Sequence, residues 1–169
     1  MSALYVSSGH WLDIGIGNGS LLFTAQEYGF TYRLGIDLRR ENALSAWRIS
    51  ASGAYWEDIS TLSLEFQCAV ISMADVLEHL PFPRTGLQSA NRLLRDDGIL
   101  FVSMPNMESA VWRALDDNKA NPYWGELEHY HNFSRSRLYE LLRECGFEPL
   151  RYGISERYRA CMEIVARKR

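Results

Sequence analysis

Three glycines at every second position, Gly15, Gly17 and Gly19, follow an apolar run that carries Asp13, and a second apolar run, Leu34-Gly35-Ile36, ends in Asp37. A loop of such residues adopts positive φ and lets a ligand lie directly on the backbone, because glycine has no Cβ to hold it off. In a βαβ unit Asp37 falls on the same sheet edge, where its carboxylate accepts hydrogen bonds from both hydroxyls of a ribose. These residues outline an adenosine-binding site. Sites for a nicotinamide dinucleotide have a similar distance from loop to acid, but their loops read G-x-G-x-x-G around a pyrophosphate. Here the spacing is G-x-G-x-G, and Asp13, two positions before Gly15, opposes a phosphate and suits a cation. S-adenosylmethionine, with an ammonium, a sulfonium and no phosphate, has the matching charge.

Methyl transfer from a sulfonium is an in-line displacement from a leaving group that is already activated, so alignment and exclusion of water are the main tasks. A base is needed only for an acceptor that must lose a proton. The candidates are His79, His129 and His131, since histidine titrates nearest neutral pH. His79 follows the fourth strand and reads either as a catalytic residue or as a cap of the following helix. In Glu128-His129-Tyr130-His131-Asn132-Phe133 an extended chain would send both histidines to one side, but the spacing supplies no further ligand, and no metal is expected.

The elements that must position these groups alternate. Strand patterns lie around 10–14, 32–37, 53–56, 67–73, 99–104, 147–154 and 160–167, with helical patterns between them, which predicts a Rossmann-like doubly wound α/β sheet of seven strands with helices on both faces. The glycine loop closes the first strand and opens a helix through Leu21, Leu22 and Ala25, with Gly29 at its C-cap. A helix from Thr85 to Leu94 stops at Asp96-Asp97-Gly98, and Ser134 caps a helix that ends at Gly146. Only residues 155–159 separate the last two strands, too few for a parallel crossover, so these form an antiparallel hairpin. Residues 105–133 carry Trp112, Tyr123, Trp124 and a short helix from about Glu108 to Asp116. A segment this long after a strand reads as a lid or substrate loop.

With these elements in place the sequence resembles the class I S-adenosylmethionine-dependent methyltransferases, over roughly residues 11–169. Residues 13–19 look like their D-x-G-x-G-x-G, Asp37 like their ribose-binding acid, and Glu57-Asp58-Ile59 like the acidic element after strand three. Residues 66–80 resemble strand four with the "LEHL" of many small-molecule members, and residues 94–103 resemble the turn into strand five. The resemblance implies S-adenosylmethionine as cofactor and S-adenosylhomocysteine as product. It implies a loop contact through Asp13, Gly15, Gly17, Asn18 and Gly19, a ribose contact through Asp37 and Leu38, and an adenine contact through Asp58 and Ile59. Met73, Ala74 and Asp75 would complete the cofactor site, with His79 and His131 as catalytic residues. Asp58 reads equally as a helix N-cap. Met73-Ala74-Asp75-Val76 stands where enzymes that methylate exocyclic amides have Asn/Asp-Pro-Pro-Tyr, which favours a small-molecule acceptor. A pocket that binds the cofactor without turnover is the competing reading.

The 169 residues fit one domain, 1–169, and a domain of this size buries about 70% of its unfolded surface. A net charge of −3 argues against broad nucleic-acid binding through a basic face and leaves room for a local patch. The three cysteines have no ligand spacing and read as reduced core residues of a cytoplasmic protein. No run of about eighteen apolar residues points to a membrane. Family members carry a longer N-terminal segment over the cofactor, whereas about ten residues precede the first strand here. The expectation is that the pocket is more open, or that a homodimer partner or a missing N-terminal region supplies the cover.

Overall fold

The computed structural model of the protein describes residues 5–45, 51–55, 58–156 and 158–169. The strands β1 (His10–Ile14), β2 (Tyr32–Asp37), β3 (Ser52–Tyr55), β4 (Cys68–Ala74), β5 (Leu94–Pro105), β6 (Phe147–Ile154) and β7 (Cys161–Lys168) make one sheet in the order β3-β2-β1-β4-β5-β7-β6. The pairs from β3 to β5 are parallel, while β7 runs antiparallel to both β5 and β6. Five helices accompany them among the described residues: α1 (Ser20–Glu27), α2 (Arg40–Ser45), α3 (Pro83–Leu93), α4 (Ala110–Asp117) and α5 (Arg135–Glu144). This is the doubly wound, mostly parallel sheet expected from the alternation. No helix among the described residues is long and apolar enough to cross a membrane, and Cys68, Cys145 and Cys161 are free and buried.

Successive side chains of a strand point to opposite faces, and the central strands divide their apolar residues accordingly. Leu12, Ile71 and Leu100 join Leu87 and Leu93 of α3 and Leu138 and Leu142 of α5 on one face. Trp11, Val70, Ile99 and Val165 join Leu22 and Ala25 of α1 on the other. Strands covered on both sides read as nearly continuous apolar runs, which is why Cys68–Met73 has no polar alternation except Ser72.

The ends of several elements differ from the sequence pattern for local reasons. Pro83 begins α3 two residues before Thr85, since proline at the first helical position has a suitable φ and gives up no needed N–H. β5 begins at Leu94 because Cys68 pairs with it before the register slips and resumes at Val70 with Ile99. Asp97, at φ 59, lies within that irregularity. β3 spans 52–55; Trp56, included in the expected strand, lies outside the described residues. Ser109 and Ser134 cap α4 and α5 by accepting from the N–H groups of Trp112 and Arg137.

Two polar or steric details fix the edge where β1 ends. A Cβ on Gly35 would stand 2.2 Å from Ile16 Cδ1 and 3.0 Å from Ile16 Cβ, so β2 lets the glycine loop press onto it only because residue 35 has no side chain. Between β1 and β4, Trp11 Nε1 donates to Ser72 Oγ at 2.8 Å, and Ser72 Oγ donates to Asp13 Oδ1 at 2.6 Å. Asp13 is only 2% exposed; burial pushes its carboxyl up to about 7, opposed by the Ser72 hydrogen bond and reinforced by the charge of Asp37.

Overpacking at Gly35→Ala is expected to cost about 1–3 kcal/mol, read as a lower urea midpoint with an unchanged slope. The raised Asp13 carboxyl makes the folded state hold a proton that the unfolded chain releases near 3.8. Its contribution is therefore complete below about pH 4 and lost as pH rises through about 7, a change of up to about 4 kcal/mol. Asp13→Asn keeps the acceptor for Ser72 and removes this term. The stability of the wild type relative to that variant should fall between pH 4 and 8, and a constant difference over that range would refute the assignment.

Candidate active site

The glycine loop is built as its sequence demands. Gly15, Gly17 and Gly19 have φ of 75, 51 and 80, all in the left-handed region that favours glycine. The N–H groups of Gly15 and Ile16 both donate to the carbonyl of Ile36, which binds the loop to the end of β2. Gly15 lies so close to Val76 that a Cβ there would meet Val76 Cγ2 at 2.6 Å. Asp37, 9% exposed, completes the corner: its Oδ2 accepts from Gly17 N and Asn42 Nδ2, each at 3.1 Å, and its Oδ1 from Arg39 N at 2.8 Å.

Beside this corner a cleft of about 510 Å³ opens at the carboxyl edge of the sheet. Gly15, Asp37 and Leu38 form one wall, Ile59 and Asp75 contribute from the ends of neighbouring loops, and His79, Leu80, Leu127, Glu128 and Tyr130 close the far side. Among its described lining residues carboxylates outnumber cations: Asp37, Asp75 and Glu128 face one arginine, Arg39. Asp75 holds φ 53, uncommon for a residue with a side chain, and its N–H is tied to the carbonyl of Ser103. Leu127 is 95% exposed at the mouth, with Leu38 and Tyr130 also exposed.

Not every residue expected at the site borders this cleft. Asp13 points into the sheet through Ser72 and reaches the cleft only as a charge near Asp37. Asn18 faces solvent, its Oδ1 accepting from Ser20 N, and Gly19 is the buried residue that starts α1. Met73 is fully buried in the core and Ala74 is half-buried behind Asp75. Asp58 resolves as a cap: Oδ1 accepts from Ser60 N at 2.8 Å and Oδ2 from Ser60 Oγ at 2.7 Å, and these bonds hold its carboxyl below the usual range. Glu57, read with it, lies outside the described residues.

The histidines separate. His79 stands in the 3-10 turn Leu77–His79, lines the cleft, and donates from Nδ1 to the carbonyl of Glu128 at 2.9 Å, since a carbonyl only accepts. His129 packs edge-on against it at 4.7 Å between ring centres. Burial, followed by the charge of His79, lowers the His129 pKa. His131 does not line the cleft: the chain turns over residues 127–128 instead of remaining extended, and the His131 ring reaches Pro81, donating from Nε2 to its carbonyl at 3.2 Å. His131 is thus a brace for the turn after β4. Tyr130 and His131 also donate their backbone N–H groups to the carbonyl of Glu78, so the lid segment is fastened to this turn at several points. Trp112 is buried, with Tyr123 stacked on it at 5.0 Å and Trp124 edge-on at 5.4 Å, a packing cluster that holds the lid together.

Sequence reasoning missed Glu78. It is 1% exposed, and burial, reinforced by the charge of Asp75 and eased only by its own backbone N–H, pushes its carboxyl up to about 8. That backbone contact falls short of a hydrogen bond, leaving both carboxylate oxygens without a partner among the described residues. The available signal was an ionisable residue inside an otherwise apolar run, Val76-Leu77-Glu78-His79-Leu80.

Comparison with known proteins agrees with the geometry. The family model described as a methyltransferase domain matches residues 2–152. The chain is 29% identical over 166 residues to the ubiquinone biosynthesis O-methyltransferase of Glaesserella parasuis serovar 5 (strain SH0165), covering 91% of this chain and 66% of that relative's length. Among solved structures it resembles the magnesium protoporphyrin IX methyltransferase of Synechocystis PCC 6803 with bound S-adenosylhomocysteine (SAH), at a TM-score of 0.74 and 17% identity, covering 95% of this chain and 74% of that one. The N-methyltransferase NodS of Bradyrhizobium japonicum WM9, also in complex with SAH, gives a TM-score of 0.73 at 17% identity over 99% and 81%. At such identities these two structures speak for the fold alone. The family match extends over most of the sequence, and the chain therefore belongs to the methyltransferase domain family, in its class I, S-adenosylmethionine-dependent form.

Proposed function

We propose that the protein transfers a methyl group from S-adenosylmethionine to a small-molecule acceptor and releases SAH. The observation that carries this reading is the corner formed by the glycine loop and Asp37, opening into a cleft with an excess of carboxylates. The relatives solved with SAH support it. The carboxylates of the cleft suit the charge of the cofactor: Asp37 would hold the ribose, Leu38 and Ile59 the apolar faces of the adenine, and Gly15 and Asp75 would border the cationic methionine end. With three protein donors already on its two oxygens, Asp37 has at most one of about four acceptor sites left. Two ribose hydroxyls would therefore displace one of these donors, and the Asn42 side-chain amide can turn away, whereas the Gly17 and Arg39 N–H groups belong to the backbone.

In the transfer the bond from sulfur to methyl breaks as the bond from methyl to acceptor forms, the sulfonium keeping the electron pair as a neutral thioether. The protein's share is to place the acceptor in line and keep water out, a proximity effect of roughly 7–11 kcal/mol at best. An acceptor that attacks through a hydroxyl, or an amine that arrives as an ammonium, must also lose a proton. His79 is the group positioned to ease that loss, since it lines the cleft and keeps a lone pair on Nε2 when Nδ1–H is given to Glu128. His131, turned toward Pro81, would act by holding the segment that carries His79.

Calorimetry should detect micromolar binding of SAH to the wild type, and Asp37→Ala should weaken it about tenfold to a hundredfold, the worth of a lost charged hydrogen bond. No binding at millimolar ligand would end the cofactor reading. With an acceptor identified from a panel of small hydroxyl and amine compounds, His79→Gln should lower kcat about a hundredfold or more while SAH affinity stays within a factor of about three. An unchanged kcat would remove His79 from the chemistry.

A further inference from the structure

The cofactor reading leaves Glu78 unused. A buried carboxylate with neither hydrogen bond nor cation is strongly disfavoured, so its surroundings bear on what it holds. It takes no part in the ion pairs formed by the described arginines and lysines. Its neighbours are imidazoles: one ligand-capable atom from each of Glu78, His79 and His129 lies within 4.8 Å of the other two.

Each imidazole has a nitrogen to offer. His79 spends Nδ1–H on the Glu128 carbonyl, which fixes the tautomer and leaves the Nε2 lone pair. A histidine that binds a metal usually donates its second nitrogen in this way to a carbonyl or carboxylate. His129 Nδ1 is buried with no hydrogen-bond partner among the described residues. The three side chains come from two parts of the chain, the turn after β4 and the lid, and the lid's backbone bonds to Glu78 hold those parts in register.

We propose that Glu78, His79 and His129 form a binding site for one divalent transition-metal ion at the wall of the cleft. Two neutral imidazole nitrogens and one carboxylate are the donor set of open, three-ligand catalytic sites for zinc and of facial sites for other divalent transition metals. Ligand atoms about 2.0–2.2 Å from an ion sit closer together than the present spread, so loading draws the three side chains inward. Where the cleft transfers methyl groups, as proposed above, the open position receives the acceptor's oxygen or nitrogen and the ion lowers its proton affinity. His79 then eases proton loss as a ligand of the ion, and the proton passes to solvent water at the mouth of the cleft, beside the exposed Leu127.

The test is titration of chelator-treated full-length protein with Zn²⁺ and with Mn²⁺ by calorimetry, with the electron paramagnetic resonance of Mn²⁺ as an independent count of bound ion. The expected result is one ion per chain at micromolar affinity or tighter, weakened about tenfold or more by Glu78→Gln and by His129→Gln, with His10→Gln, at the start of β1 and outside the cluster, unaffected. Circular dichroism and the urea midpoint establish that each variant is folded. Absence of binding at millimolar Zn²⁺ and Mn²⁺, or binding that both cluster variants retain in full, overturns the site. Because the readout is metal binding itself, failure to bind SAH would overturn the methyl-transfer reading while leaving this one standing.

Discussion

The cleft depends on one carboxylate facing a loop built on three glycines. Asp37 ends β2, and its oxygens collect the N–H of Gly17 from the glycine loop, the N–H of Arg39 from the turn into α2, and the amide of Asn42 from α2 itself. Three separate segments are thus set by a single group. The loop's own backbone is fastened a second time, through Gly15 and Ile16 to the carbonyl of Ile36. An aspartate at this point shapes the pocket before any ligand arrives, and the glycines are the consequence: a side chain at residue 15 would strike Val76, and one at residue 35 would strike Ile16.

The opposite wall is made differently. It is a long-range lock between the turn after β4 and the lid, formed by the Glu78 carbonyl with Tyr130 and His131, the His79 ring with Glu128, and the His131 ring with Pro81. Behind it, Trp112 and Tyr123 stack, and Trp124 donates to Asp116, so the lid has a small core of its own. One wall therefore belongs to the sheet and is rigid by construction, while the other is a loop held by a few polar bonds. The exposed Leu127 lies on the second wall, where a ligand in the cleft would cover it.

What the sequence made legible follows from how far each signal reaches. Gly15, Gly17, Gly19 and Asp37 were readable because a backbone conformation and a strand end are local properties. The antiparallel β6 and β7 were readable because residues 155–159 are too few to cross the sheet. The roles of Asp58 and His131 were not, since each is decided by a partner that competes for the same atom. Ser60 takes both oxygens of Asp58, and Pro81 takes the ring of His131 from fifty residues away. Glu78 was hidden for the same reason: its environment includes His129 from the lid, a contact that no periodicity encodes.

The electrostatics join the two walls. Asp13, near the end of β1, and Glu78, in the turn after β4, are buried carboxyls, each with its proton affinity raised first by burial and then by a neighbouring acid, Asp37 for one and Asp75 for the other. Both neighbours line the cleft. Charge brought close to Asp37 and Asp75 is therefore felt by the groups behind them, in a region where low polarisability lets fields act over longer distances than in water. A cation in the cleft lowers the cost of ionising Asp13 and Glu78, and their ionisation in turn strengthens the hold on the cation. An anionic ligand would meet the reverse on both walls. A positive charge in the cleft would thus act on two layers of carboxyls, whereas a row of exposed acids would be screened by salt.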